Sequence, residues 1–408
     1  MRTTGASGED LRAALVEQLR AAGRVRSERV AAAFAAVPRE LFLPGHVRRL
    51  GLAAAYRDEA VVTRQAQDGS PSSSSSQPSI MAEMLEMLAL APGARVLEVG
   101  AGTGYNAALL AHLVGPGGSV TSVELDPDAA ADARRALRAA GSAAEVVVGD
   151  GHAGWPAAAP VDAVVVTAST ATVPRAWHGQ LAPGGVLVVP LQLAPGMPLL
   201  QSVVAMRKVR HGFDPVAASA GGFMPLRGGP GRPGGGEVAA FEEAGDDVVP
   251  RVRFTGPALA GLDAADRRRL LVAALGFARR EILPLRWPAA WSLLAYVALA
   301  LPEERLLSVE RPVREGPDRT VMRSALGVVD AADGSLALLA PARGGLRLES
   351  YGGTGAEHAL RSAAERWGLA GRPGLGDARI TVRYGVARPH CWRSVRRGDQ
   401  WIGLDWAT

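Results

Sequence analysis

Between residues 95 and 192 five short β-branched runs, "RVLEVG", "SVTSVEL", "AEVVVGD", "VDAVVVTA" and "GVLVVPL", alternate with helical stretches. Each run is apolar at nearly every position, as a strand covered by helices on both faces requires. Strand and helix in strict alternation leave few topologies. The natural one is a parallel sheet wound by right-handed crossovers, with helices on both sides. A doubly wound, Rossmann-like α/β fold is therefore expected for this stretch.

The flanks read differently. Residues 8 to 60 suggest helices and turns: "EDLRAALVEQLRAAG" is amphipathic with a glycine stop, and "SERVAAAFAAV" opens on Ser27 as an N-cap before "PRELFLP". A further sheet-like piece, "QSVVAMRKVRHG" to "GGFMPLRG", runs into "GPGRPGGGE", whose glycine and proline density marks a boundary near residue 230. Beyond it, helices ("DAADRRRLLVAALGFARREI", "WPAAWSLLAYVALAL", "GAEHALRSAAERWGLAG") mix with strands, among them "SALGVVDAADGSLALLAP" around a hairpin turn at "ADG" and the late "ARITVRYG". The order reads as α+β. With 408 residues, two domains are expected, 1–229 and 230–408.

Composition narrows the setting. The single cysteine, Cys391, allows no internal disulfide and no cysteine-based zinc site, which fits a reducing compartment and a cytoplasmic location. The N-terminus carries no apolar signal region, and "WSLLAYVALALP" is too short to span a bilayer, so neither secretion nor membrane insertion is expected. A pI near 9.9 reflects a formal excess of only five charges. Lys208 is the only lysine among many arginines, alanines and glycines, a pattern that GC-rich codon usage explains without a nucleic-acid partner.

Chemistry concentrates at three consecutive strand ends. "LEVGAGTGY" places Gly100, Gly102 and Gly104 after the first strand, where the chain must turn sharply and admit a ligand to its backbone. The spacing is G-x-G-x-G, not the dinucleotide fingerprint, and a purely structural turn is the competing reading. The next strand ends in Glu124, where a carboxylate accepts from both hydroxyls of a ribose. The third ends in "GDG", with Asp150 set to accept from an exocyclic amine; a helix N-cap or Asx turn is the alternative. Together they point to an adenosine-containing cofactor. NAD is one candidate, but Glu98 in the first strand would repel a pyrophosphate and suits a cation, unless it is a solvated strand-end charge. S-adenosylmethionine meets both conditions.

One segment resists this reading. "PSSSSSQP", residues 71–78, looks like a solvated linker. Directly after it, "SIMAEMLEML" sets Ile80, Met84, Met87 and Leu88 on one helix face. Linkers seldom sit inside a domain.

From "RVAAAFAAVPRELFLP" and "AAYRDEAV" through "SQPSIMAEMLEML", "LEVGAGTGY", "VGDGHAGW", "PVDAVVVTAS" and "VPRAWHGQLAPGGVLVVP" to "GGFMPL", the chain resembles the protein L-isoaspartyl/D-aspartyl O-methyltransferase family, in the family's order. The resemblance covers roughly residues 10–228. It implies a Rossmann-like class I methyltransferase sheet with an N-terminal helical segment, here joined by an additional C-terminal α+β domain. It also implies S-adenosylmethionine as cofactor, bound by Ser74, Ser75, Glu98, Gly100, Ala101, Gly102, Thr103, Gly104, Tyr105, Glu124, Leu125, Asp150 and Gly151. In the family a T-I-S-x-P loop lies over the methyl donor; Ser74 and Ser75 stand in the Thr and Ile positions, and Ser76 stands where a hydroxyl contacts the carboxylate to be methylated. The serine run then becomes an active-site loop. A carboxylate is already ionised at neutral pH, so Ser76 need only orient it and no general base is required.

Two departures bear on the acceptor. The family's P-L-P-I-G-x-G-Q-T-I-S pattern is replaced by "AVVTRQAQDGSPSSSSS", and a long C-terminal region is added. Both features resemble the branch associated with ribosomally made peptides such as lanthipeptides, lasso peptides and graspetides. That likeness implies methylation of an ordinary aspartate in a cyclised precursor, leading to aspartimide or isoaspartate, with the C-terminal domain as a peptide-recognition module. Trp367, Trp392, Arg393 and Trp401 are candidates for it, or simply core aromatics and solvated arginine. Repair of isoaspartyl damage in proteins is the alternative, and a noncatalytic adenosyl-binding scaffold a third reading. No Ser-His-Asp or metal cluster is evident, His152, His178 and His390 being scattered. The oligomeric state is not readable.

Overall fold

The computed structural model describes residues 6–66, 71–194, 200–229, 240–243, 252–260, 262–275, 278–314, 320–385 and 388–406. Helices α1 (Gly8–Ala21), α2 (Glu28–Ala36) and α3 (Pro44–Leu50) open the chain, with a 3-10 turn at Arg39–Phe42. As the sequence suggests, Ser27 caps α2 by accepting from the Val30 amide, and Gly23 follows α1 in a left-handed conformation.

The serine run is not a linker. Pro71–Ser75 forms a strand, β2, that pairs antiparallel with β1 (Val61–Gln65), Val61 opposite Ser75 and Val62 opposite Ser74. Local composition is overridden because the segment is tied at both sides: β1 supplies the ladder, and Asp58 accepts from the Ser79 amide at 2.8 Å and from Gln77 Nε2 at 3.1 Å. Helix α4 (Pro78–Leu88) starts there and buries Met81, Met84, Leu85 and Leu88, with Ile80 and Met87 half-buried beside them.

The predicted alternation follows: β3 (Arg95–Val99), α5 (Tyr105–Val114), β4 (Ser119–Glu124), α6 (Pro127–Ala139), β5 (Glu145–Val148), β6 (Val161–Val166), α7 (Arg175–Gln180) and β7 (Leu181–Gln192). Strands β3 to β7 pair in parallel in the order β5-β4-β3-β6-β7, and β8 (Gln201–Val209) and β9 (Gly212–Ala220) extend the sheet antiparallel. Successive residues of each strand enter different cores. Val96, Val120, Val146, Ala163 and Val165 pack with α1, α2, α4, α5 and α6; Leu97, Val99, Val123, Val164 and Val166 pack on the opposite face. This is the doubly wound arrangement, and its topological switch lies where β3 stands between β4 and β6.

Past residue 230 the chain forms β10 (Ala240–Glu243), β11 (Val252–Thr255), α8 (Ala264–Leu275), β12 (Arg279–Leu283), α9 (Trp287–Ala300), β13 (Leu306–Arg314), β14 (Thr320–Asp330), β15 (Ser335–Ala342), β16 (Gly345–Tyr351) and α10 (Gly355–Leu369). These strands make a second sheet in the order β10-β11-β13-β14-β15-β16-β12. The hairpin at "ADG" is there, pairing Asp330 with Ser335. "ARREI", read as the end of a helix, is instead β12, because the open edge of β16 offers its backbone a ladder from Arg279 to Leu283.

The last segment crosses back over the sequence boundary expected near residue 230. Strands β17 (Ala378–Tyr384), β18 (Arg393–Arg397) and β19 (Gln400–Trp406) continue the first sheet as β9-β17-β19-β18. Helix α9, apolar around its whole circumference, lies in the same buried cluster as Leu191 and Val204 of the first sheet and Leu326 and Leu339 of the second. Among the described residues no helix is long and apolar enough to cross a membrane.

Candidate active site

The switch point fixes where a ligand can sit. After β3 the chain turns through Gly100 and Gly102, with φ of 97° and 53°. Neither position has room for a side chain: a Cβ on Gly100 would stand 2.5 Å from Thr167 Oγ1, and one on Gly102 would stand 3.2 Å from the Ser74 carbonyl. The glycine turn and the serine strand therefore face each other at backbone contact. Between them lies a cavity of about 290 Å³, at the small end of ligand sites.

Ser74, Ser75, Ser76, Gly100, Ala101, Gly102, Thr103, Tyr105, Glu124, Leu125 and Gly151 of the sequence-expected residues line this cavity, whereas Glu98, Gly104 and Asp150 do not. Glu124 is 8 % exposed and accepts from the Gly102 amide at 2.9 Å and from the Asp126 amide at 3.1 Å, which ties the glycine turn to the end of β4. Tyr105 is buried against Phe34 and Phe42. Gly151 closes a corner where a Cβ would come within 2.4 Å of Val99 Cγ1.

Two carboxylates sit otherwise than a ligand role alone suggests. The alternation of β3 puts Glu98 on the same face as Val96, under α5, so it is fully buried rather than a solvated strand-end charge. Asn106 Nδ2 donates to it at 2.7 Å and Ser122 Oγ also donates; burial pushes its carboxyl up to about 7. Asp150 accepts from the amides of His152 at 2.9 Å and Gly229 at 2.7 Å, capping a short 3-10 turn. Both of its oxygens are taken up by backbone, as the N-cap alternative describes.

Several residues of the site have no role assigned by the sequence patterns. Arg39, with no exposed surface, donates to the Arg57 carbonyl at 3.1 Å, the Glu59 carbonyl at 3.3 Å, Ser75 Oγ at 3.5 Å and the Ser76 carbonyl at 3.1 Å. Thr167 donates to the Gly100 carbonyl at 2.6 Å and lines the cavity. Met224, Pro225, Leu226 and Arg227 form the wall beside the serines, and Arg227 Nη2 donates to the Ser72 carbonyl at 3.1 Å. Arg39, Thr167 and Met224–Leu226 belong to "VPRELF", "PVDAVVVTAS" and "GGFMPL", stretches that carry the family likeness without naming a contact, and Arg227 lies just past the last of them.

A cleft of mixed polar and apolar lining at the carboxyl ends of β3 and β4, with a buried carboxylate for hydroxyls and with Arg227 on the wall beside the serines rather than at the glycine turn, suits a phosphate-free adenosyl ligand. Fold and cleft together define a class I methyltransferase whose cofactor is S-adenosylmethionine. The comparisons narrow the class to a family. The model of the protein-L-isoaspartate(D-aspartate) O-methyltransferase family matches residues 10–216. A protein-L-isoaspartate O-methyltransferase of Ignicoccus hospitalis is 40% identical over 219 residues, 53% of this chain and 98% of that protein. One from Methylorubrum extorquens is 40% identical over 217 residues, 53% of this chain and 88% of that protein. The chain belongs to this family, and it is an S-adenosylmethionine-dependent protein (iso)aspartate O-methyltransferase. A solved structure titled protein-L-isoaspartate O-methyltransferase, 22% identical, covers 97% of this chain and 100% of its own with a TM-score of 0.52, so the likeness in fold extends beyond residue 230.

Proposed function

We propose that the chain methylates the free carboxylate of isoaspartyl residues in damaged proteins, a repair activity; its relatives are named protein-L-isoaspartate O-methyltransferases. The observation that carries the reading is the serine strand facing the glycine turn, which makes Ser74, Ser75 and Ser76 one wall of the donor cavity. Bound S-adenosylmethionine supplies an electrophilic methyl group on a sulfonium. Glu124 would hold the ribose hydroxyls, the turn from Gly100 to Thr103 together with Tyr105 would hold the amino-acid part, and Leu125 and Gly151 would hold the base. Glu98 acts from beneath, holding Asn106 and Ser122 at the root of the turn, and Asp150 shapes the corner at Gly151. Ser76 donates its hydroxyl to one oxygen of the acceptor carboxylate and leaves the other free to react; a group ionised at neutral pH needs no base. The methyl ester so formed is open to attack by the following backbone nitrogen, with methanol leaving and an aspartimide remaining.

A second reading is favoured by one observation. Where the family has P-L-P-I-G-x-G-Q-T-I-S this chain has "AVVTRQAQDGSPSSSSS", which puts serines on the cavity wall beside Met224–Arg227. This suits a different acceptor, an ordinary aspartate of a ribosomally made, cyclised precursor peptide. The C-terminal region does not decide between them, because a solved structure bearing the isoaspartyl enzyme's title spans it as well. Incubation with S-adenosylmethionine and, separately, an isoaspartyl peptide, its aspartyl twin and a constrained aspartyl peptide, followed by mass, tests both. Methyl gain on the isoaspartyl peptide alone supports repair; gain and methanol loss on the constrained peptide alone supports maturation; no gain on any overturns both.

A further inference from the structure

The tip of the β18–β19 hairpin, Arg397 to Gln400, does not lie free at the edge of the sheet. Arg397 and Gln400 are each 4% exposed. Arg397 Nη1 donates to the carbonyls of Ala171 at 2.8 Å and Gln192 at 2.6 Å, and Nη2 to that of Leu193 at 2.8 Å. Gln400 meets one residue twice: its Oε1 accepts from the Val173 amide at 2.9 Å, and its Nε2 donates to the Val173 carbonyl at 3.2 Å. The Tyr384 hydroxyl donates to the same carbonyl at 2.9 Å, and Asp399 pairs with Arg175.

The segment so gripped leads to the cavity. Thr167 and Ala168 line it. The next residue, Ser169, donates its amide to the Met224 carbonyl at 2.8 Å and accepts from the Leu226 amide at 2.7 Å, so the wall from Met224 to Arg227 hangs on it as on a strand. Thr170 in turn pairs with Pro190 and Gln192. From hairpin tip to acceptor wall every step is a backbone ladder or a buried side-chain contact. Burying a charged guanidinium is costly even with the Glu303 carboxylate 4.0 Å away, and an apolar side chain of similar size would fill the same space with less penalty. Its retention on three carbonyls fixes a backbone position, which packing alone does not do.

We propose that Arg397 and Gln400 are positioning residues for methyl transfer: through Ser169–Val173 they set the place of the acceptor wall at Met224–Arg227. The C-terminal hairpin thereby tunes acceptor binding without touching donor or acceptor. This rests on the proposed function, in which the carboxylate lies against Ser76 in the cavity that Met224–Arg227 also lines.

Gln400→Ala and Arg397→Lys in the full chain test it by two independent readouts. Hydrogen exchange of 169–173 and 224–227 is expected to quicken about tenfold in Gln400→Ala, while that of 100–104 stays as in the wild type. With an isoaspartyl peptide, acceptor KM is expected to rise about tenfold with the donor Kd unchanged, and Arg397→Lys, which keeps the charge and N–H donors but not the guanidinium's two-pronged reach, to lie between Gln400→Ala and wild type. Unchanged exchange at 224–227 together with an unchanged KM overturns the proposal, even if thermal stability falls, since a purely structural role predicts that pattern. Should Gln400→Ala not fold, Tyr384→Phe removes a single donor to Val173 and is read in the same way. If the wild type methylates no isoaspartyl peptide, the acceptor reading fails, and the exchange data alone decide whether hairpin and wall are coupled.

Discussion

The Arg39 guanidinium reaches the Ser76 carbonyl at 3.1 Å from a position with no exposed surface, so the residue that begins a 3-10 turn in the N-terminal region holds the end of the serine strand. The same group lies over the Tyr105 ring, 5.7 Å from its centroid, and thus joins the strand to the helix that follows the glycine turn. One buried cation locks the two walls of the cavity together. Replacing it by methionine leaves the carbonyls of Arg57, Glu59 and Ser76 without this donor. Arg39→Met is expected to lose about 2–4 kcal/mol in urea unfolding and to raise the exchange rate of residues 71–76. Wild-type exchange there, with wild-type turnover, would remove Arg39 from the account.

In the proposed function Ser76, which lines the cavity, supplies the hydroxyl for the acceptor carboxylate. Ser76→Ala is expected to keep the donor Kd within about twofold and to lower kcat by about 10- to 100-fold, the worth of one hydrogen bond to a carboxylate. Titration calorimetry with S-adenosylhomocysteine and single-turnover methyl transfer separate the two effects. A Ser76→Ala enzyme with undiminished turnover strikes it from the catalytic residues.

Glu124 accepts from the Gly102 amide and so ties the end of β4 to the glycine turn. On the proposed role of Glu124 as acceptor of the ribose hydroxyls, Glu124→Ala removes that acceptor as well as this tie, and the donor Kd is expected to rise about 100-fold or more. Glu124→Gln keeps an acceptor oxygen and should cost about tenfold. Calorimetric titration checks the order; equal affinities across the three proteins contradict it.

Glu98 predicts a dependence on pH. Burial lifts its carboxyl from 4.5 to about 7 in the fold, so between these values the folded chain holds a proton that the unfolded chain has released. Stability from this group is present below pH 4.5, declines as pH rises through the interval, and is lost above about 7. Glu98→Gln lacks this term. The difference in melting temperature between variant and wild type should grow in the variant's favour from about pH 5 to about pH 8; a constant difference refutes the placement of a buried ionisable group there.

Much of this is legible in the sequence because it is written in local patterns. Runs such as "AVVV" and "VLVV" specify covered parallel strands, and Gly100 and Gly102 mark the turn because its positive φ values and close neighbours favour glycine. Glu98 shows the limit of such reading: its identity is visible, but the parity that puts it with Val96 under α5 decides between solvated and buried. Composition alone misleads for the serine run, since its conformation is imposed by β1, Asp58 and Arg39. The return of β17 to β19 to the first sheet leaves no trace either. It depends on edge pairing between residues far apart in the chain, such as Val382 with Phe213, and such pairing has no periodic signature.

Exchange of backbone amides with and without S-adenosylhomocysteine tests most directly whether the serine strand closes over the donor. Saturating ligand is expected to slow exchange about tenfold or more at both 71–76 and 100–104, the two walls that face each other across the cavity. Slowing at 100–104 with no change at 71–76 would contradict it, and with it the placing of Ser76 against the acceptor.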